Sequence, residues 1–124
     1  MTKTVLIVDD NEHLRRILAS ILGASGYEVV EAGTGSQAIE KAISAKPSLI
    51  LLDLDLPDIT GIDAARALKN NPKTALIPII ACSAFFETDL REKALCAGMV
   101  DYLQKPISSD LIKAKIGEFI LFER

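Results

Sequence analysis

Leu49-Ile-Leu-Leu-Asp-Leu-Asp-Leu-Pro-Asp-Ile-Thr-Gly61 is the stretch whose reading decides the fold. Its first half is apolar without alternation, the pattern of a strand covered on both faces, as in a parallel sheet. The run ends on Asp53, and Asp55, Pro57, Asp58 and Gly61 crowd just beyond it. Ligands of open α/β sheets bind outside the carboxyl ends of the strands, so a carboxylate there is a site residue or a capping group. A second apolar run, Val5-Leu-Ile-Val8, ends on the pair Asp9-Asp10. If the two strands lie parallel and adjacent, three carboxylates meet at one edge of the sheet.

Outward from this stretch the chain alternates regularly. After Val5–Val8, Asn11 caps a helix whose apolar positions Leu14, Ile17, Leu18, Ile21 and Leu22 form one stripe, with one face on a core. Ser25-Gly26 stops it, Gly supplying a left-handed C-cap. Glu28–Ala32 reads as a second strand. A second helix follows Gly33-Thr34-Gly35, with Ala38, Ile39, Ala42 and Ile43 inward, and Lys46-Pro47 ends it. Leu49–Leu52 is the third strand. Gly61 opens a third helix with Ile62, Ala65 and Leu68 buried, ending near Asn70-Asn71-Pro72. Ile77–Cys82 is the fourth strand, with Pro78 tolerable only near its start. The fourth helix, the least amphipathic, runs from Thr88 or Asp89 to Ala97, with Gly98 as its stop. Met99–Leu103 is the fifth strand. Gln104-Lys105-Pro106 is a turn, and Ser108 or Ser109 caps a last helix carrying Ile112, Ile116, Phe119 and Ile120. Strands alternating with helices in this way imply βαβ crossovers and a parallel sheet between two helix layers.

At 124 residues the chain is expected to form a single domain spanning 1–124. Aromatic residues are 5% and Trp is absent, so Ile, Leu, Val and Ala fill the core. A net charge of −3 argues against direct nucleic-acid binding, which favours clustered Lys and Arg. No apolar run approaches the ~18 residues that span a bilayer, and the first strand follows Met1 too closely for a signal peptide. Cys82 and Cys96, with no secretory signal and no His beside either, read as two packing thiols in a reducing cytoplasm.

Setting aside what is apolar, the strand ends carry Asp9, Asp10, Asp53, Ser83 and, just past the fifth strand, Lys105. Clustered carboxylates raise one another's pKa unless a cation relieves them. Mg²⁺ suits such a set, taking a few carboxylate oxygens together with water and phosphate oxygens. The hydroxyl and the amine then serve as donors to an anion held opposite the metal, which reads as a phosphoryl-transfer site.

These residues carry a resemblance that spans essentially the whole chain. Asp9-Asp10, Asp53 with Pro57 and Gly61 beyond it, Ser83-Ala84, and Lys105-Pro106 together resemble a response-regulator receiver domain, the module of two-component signalling. The resemblance implies a doubly wound five-stranded parallel sheet flanked by five helices. Its strand order would be 2-1-3-4-5, that of flavodoxin and the chemotaxis receiver; the order comes from the resemblance, not from spacing. By the same resemblance Asp53 accepts a phosphoryl group from a histidine of a partner kinase or phosphotransfer protein. Asp10 and Asp53 bind Mg²⁺ through their side chains, Asp9 largely through water, and Asp55 through its backbone carbonyl. Lys105 pairs with a phosphoryl oxygen, Ser83 swings to meet another, and Tyr102 aligns with the aromatic switch residue. Lys105-Pro106 is a candidate cis bond, cis being nearly confined to X-Pro. The output is a changed surface on the fourth helix, fifth strand and fifth helix, for a downstream protein target or a phosphorylation-dependent homodimer. Because no output domain follows Arg124, the chain acts by docking, or is the receiver of a longer protein.

Two positions depart from the commonest pattern of that family. Asp55 adds an acid where Asn or a hydrophobic residue is frequent, and Phe85 is bulky where a polar residue often orients water, an expectation of slow aspartyl-phosphate hydrolysis. Bland readings stand beside each residue. Asp9-Asp10-Asn11 is also a good helix cap, Asp58 suits turn work beside Pro57, Lys105 suits a solvated surface, and His13 suits a solvent-facing first turn. Among other function classes, Asp53-Leu-Asp55 resembles the Asp-x-Asp pair of a haloacid-dehalogenase-like phosphatase. That pair normally closes the first strand, and here it closes the third. A flavodoxin-like FMN carrier would need a phosphate-cradling loop after the first strand, where Asp9-Asp10 would instead repel a phosphate.

Overall fold

Side-chain alternation along the strands sorts the apolar residues into two layers. The strands and helices are β1 (Thr4–Val8), α1 (Glu12–Ala24), β2 (Glu28–Ala32), α2 (Gly35–Ala45), β3 (Leu49–Asp53), α3 (Gly61–Lys69), β4 (Ile79–Ser83), α4 (Thr88–Cys96), β5 (Asp101–Gln104) and α5 (Ser109–Leu121). The computed structural model describes residues 2–84 and 88–121, and Phe85 lies outside the described residues. Leu6, Val8, Ile50, Leu52, Ile79 and Ala81 face Ala38 and Ala42 of α2, Ala64, Ala65 and Leu68 of α3, and Ala94 of α4. Their neighbours Val5, Ile7, Leu49, Leu51, Ile80 and Cys82 face Leu18 and Leu22 of α1 and Ile112 and Ile116 of α5. Every pairing is parallel and the order is β2-β1-β3-β4-β5, the flavodoxin-like arrangement expected. Both β3 and β4 are buried along their whole length, which is why neither alternates in sequence. Among the described residues no helix is long and apolar enough to cross a membrane.

The differences from the sequence reading have local causes. The fourth strand begins at Ile79, not Ile77, because Pro78 has no N–H for the ladder and the Ile77 N–H is used on the Thr74 carbonyl at 3.1 Å. The fifth begins at Asp101, not Met99. Gly98 adopts φ +95°, and the Met99 N–H turns back to the Ala94 carbonyl at 3.1 Å, finishing α4 rather than starting a strand. Ile17 is 44% exposed, since the buried stripe of α1 centres on Leu18 and Leu22. The third and fourth strands each run one residue further than read, taking in Asp53 and Ser83.

Three residues fix the loop beyond β3. Gly61 sits so close to the strand end that a Cβ would lie 2.5 Å from the Asp53 carbonyl oxygen and 2.6 Å from Leu54 Cα. Only glycine lets α3 start there, and its N–H donates to the Leu54 carbonyl at 3.0 Å. Thr60 caps the same helix by accepting the Asp63 N–H at 3.1 Å. Asp58 does more than the turn work read from sequence. Its carboxylate accepts the Gly35 N–H at 2.8 Å and both the Ser36 N–H and hydroxyl at 2.9 Å, so the loop after β3 is tied to the start of α2.

Candidate functional site

Parallel register brings the strand ends to one rim. Val8 pairs with Leu52, so the next residues, Asp9 and Asp53, end neighbouring strands. Asp53 pairs in turn with Cys82 of β4, and Ser83 follows. Ser83 pairs with Gln104 of β5, and the Lys105 N–H donates to the Ser83 carbonyl at 2.7 Å. The sheet order thus sets β1, β3, β4 and β5 side by side, β1 delivering two acids and each of the others one polar residue. The Lys105–Pro106 bond is cis.

Carboxylate oxygens of Asp9, Asp10 and Asp53 lie within 4.8 Å of one another, Asp10 exposed and the other two buried. Lys105 Nζ stands between two of them, 2.8 Å from Asp9 Oδ2 and 3.2 Å from Asp53 Oδ2. The other Asp53 oxygen, Oδ1, accepts the Asp55 N–H at 3.0 Å. Burial pushes the Asp53 carboxyl up; that N–H and the Lys105 charge pull it back, Asp9 adds to the rise, and the net direction is upward. Burial pulls the Lys105 ammonium down, but its bonds and charge interactions with Asp9 and Asp53 outweigh this, and its pKa rises. Three acids share one ammonium, an arrangement still negative overall.

Other residues singled out from sequence lie at varied distance from this centre. Ser83 is fully buried at the last position of β4. Tyr102, half-buried, packs against the α2–α3–α4 layer. The Asp55 side chain is exposed while its backbone N–H faces Asp53. His13 is exposed, as read. The Cys82 thiol is buried, and burial pushes it up to about 12, whereas Cys96 is exposed. One residue at the rim was not singled out at all. Arg15 of α1 donates from Nη1 to the Asp9 carbonyl at 2.8 Å and from Nε to Glu31 Oε1 at 3.0 Å. Asp58, read from sequence only as a turn residue, also holds the start of α2. Nothing but the position of Arg15 one turn beyond the Asn11 cap pointed to it.

The donor set fits a hard divalent cation. It consists of oxygen only, with no thiol or imidazole among the three residues, and it carries more negative charge than Lys105 offsets. A doubly wound parallel sheet with an acid cluster and a lysine at its carboxyl rim is the architecture of a signalling receiver. The family model of the response regulator receiver domain matches residues 5–117, and the chain belongs to that family. Among its relatives is the polar-differentiation response regulator DivK of Brucella ovis, 35% identical over 95% of this chain and 99% of the relative. A putative response regulator from Chloroflexus aurantiacus superposes with a TM-score of 0.92 at 27% identity, covering 98% of this chain and 99% of the other. The receiver domain of a sensor histidine kinase from Pseudomonas aeruginosa PAO1 gives 0.89 at 31% identity, covering 97% and 98%. That structure is described with a magnesium ion coordinated in its active-site cleft.

Proposed function

We propose that the chain is a phosphoacceptor of two-component signalling, with Asp53 as the residue modified. The reading is supported above all by the Asp53 carboxylate, 4% exposed, bridged to Asp9 by Lys105 at the edge where three strands end. An Asp53 oxygen attacks the phosphorus of a phosphohistidine on a partner kinase or phosphotransfer protein. The O–P bond forms as the N–P bond breaks, and the imidazole nitrogen keeps the electron pair and takes up a proton. Asp53 must be ionised to attack. The Asp55 N–H and the Lys105 ammonium hold that charge against the effect of burial.

Asp9, Asp10 and Asp53, with the Asp55 carbonyl, are the groups that would hold Mg²⁺, which when bound supplies charge neutralisation for the phosphoryl oxygens. On this reading Lys105 follows the new negative charge from the carboxylates to a phosphoryl oxygen, and the Ser83 hydroxyl swings to meet a second. A phosphoryl group adds roughly −1.5 to −2 charge and three acceptor oxygens. Moving a two-state equilibrium from 1:99 to 99:1 takes about 5.5 kcal/mol. Two charge-assisted bonds at roughly 1.5–3 kcal/mol each supply most of it. The elements flanking Ser83, Tyr102 and Lys105 (α4, β5 and α5) are then the switching surface for a cytoplasmic target or a second copy of the chain.

Acetyl phosphate with Mg²⁺ tests the reading directly. The wild-type chain is expected to take up one hydroxylamine-labile phosphoryl group, and Asp53→Asn none. Equal labelling of the variant would remove Asp53 as acceptor. Multiple turnovers on a phosphomonoester would favour the phosphatase alternative with Asp53 and Asp55. Mass measurement with and without beryllofluoride reads the dimer.

A further inference from the structure

Asp9 is held at every polar atom it has. Its N–H donates to the Ala32 carbonyl at 3.1 Å, Oδ1 accepts the Asn11 N–H at 2.9 Å, and Oδ2 meets Lys105 at 2.8 Å. The remaining atom is its carbonyl oxygen, and Arg15 Nη1 holds it at 2.8 Å. That carbonyl belongs to the peptide linking Asp9 to Asp10. Fixing it sets the plane from which the exposed Asp10 side chain departs toward Asp53. Arg15 is itself anchored: Nε donates to Glu31 Oε1 at 3.0 Å, and Lys41 of α2 donates to the Glu31 carbonyl. The Arg15 side chain is 16% exposed, half the exposure of Glu31 at 35%, so the guanidinium is wedged between α1 and the end of β2. Its planar fork suits this double duty, since two of its N–H groups reach different acceptors in a fixed geometry.

We infer that Arg15 is a positioning residue for the metal centre: through the Asp9 carbonyl it orients the Asp9–Asp10 peptide, and so the Asp10 carboxylate. The inference rests on the reading of Asp9, Asp10 and Asp53 as cation ligands. Electrostatics and positioning predict opposite signs here, which makes the inference testable. Arg15 is a cation close to an acidic cluster, so its charge alone opposes metal binding, and its removal should tighten the site. If it orients a ligand, its removal loosens the site, by about 10-fold or more as for outer-shell partners of other metal ligands.

The measurement is Mn²⁺ affinity, from the electron paramagnetic resonance of the free ion, on the whole chain. Arg15→Met keeps length and removes the donors, and about 10-fold weaker binding is expected. Arg15→Lys, which still reaches one acceptor, should recover part of the loss. Arg16→Met, next on the helix and paired with exposed Glu12, makes the same charge change. It should bind as wild type or slightly tighter. Metal-free thermal unfolding of each variant separates a general loss of stability from a metal-specific one. Should Arg15→Met not fold, Glu31→Gln takes its place, loosening the anchor and weakening Mn²⁺ several-fold. Wild-type affinity in Arg15→Met, or in Glu31→Gln where that stands in, overturns the role of Arg15. Wild-type protein that takes up no Mn²⁺ overturns the metal reading instead.

Discussion

Asp53 carries two opposed demands: burial favours its neutral form, and nucleophilic attack needs the ion. Because its folded-state pKa lies above the ordinary value of 3.8, ionising it opposes folding at neutral pH. The stabilisation from the neutral form is full below the unfolded pKa and is lost as pH rises through the raised folded one. Asp53→Asn should therefore raise the unfolding midpoint of the metal-free protein at pH 7. About 4 °C is expected, the equivalent of about 1 kcal/mol in a domain of this size. A lower midpoint in calorimetry would mean that Lys105 needs Asp53 more than Asp53 suffers from burial. The thiols divide in the same way. With Cys82 buried and pushed up to about 12, only Cys96 should react with iodoacetamide at pH 8, one label per native chain by mass. Asp53 and Lys105 were legible in sequence because strand ends are countable. Arg15 was not, because which carbonyl a guanidinium reaches depends on how α1 leans on β2, and no spacing encodes that.

Helix starts decide the geometry one scale up. Gly61→Ala would drive a methyl group into the Asp53 carbonyl and the Leu54 backbone, neither of which is a flexible side-chain end. A loss of about 2–3 kcal/mol in denaturant unfolding is expected. Weakened metal uptake should accompany it, because relief of the clash requires the strand end to move. Asp58 acts at the start of α2. The N–H groups of Gly35 and Ser36 hold its carboxyl far below the usual carboxylate range, so the clamp persists above the ordinary pKa and is released only as pH falls well beneath it. In Asp58→Ala, the amides of Gly35 and Ser36 should exchange with deuterium faster while those of β3 are unchanged. Element identity was clear from periodicity, as the stripe of Leu18 and Leu22 in α1 shows. Boundaries were not, where one backbone N–H had two possible uses: Met99 spends it on α4 and so leaves β5 to begin at Asp101.

For the whole molecule, the strand order matters most. Only with β1 and β3 adjacent, and β4 and β5 following, do acids from two strands meet a lysine from beyond a third. A cation that binds this rim in the folded state alone should stabilise the chain by about 1.4 kcal/mol at tenfold excess over its Kd. Mg²⁺ should raise the unfolding midpoint of wild type accordingly and leave Asp10→Asn nearly unmoved. The order itself was not legible from alternation, which fixes parallel pairing without saying which strand neighbours which. The pairing of Lys105 with Asp9 spans 96 positions. A chain growing from its N-terminus therefore displays all its rim acids before half of it is made, and acquires the ammonium that bridges two of them just after the last strand. Through most of synthesis the outermost end of the nascent sheet is self-repelling, and it becomes tolerable to itself when residue 105 leaves the ribosome and folds home.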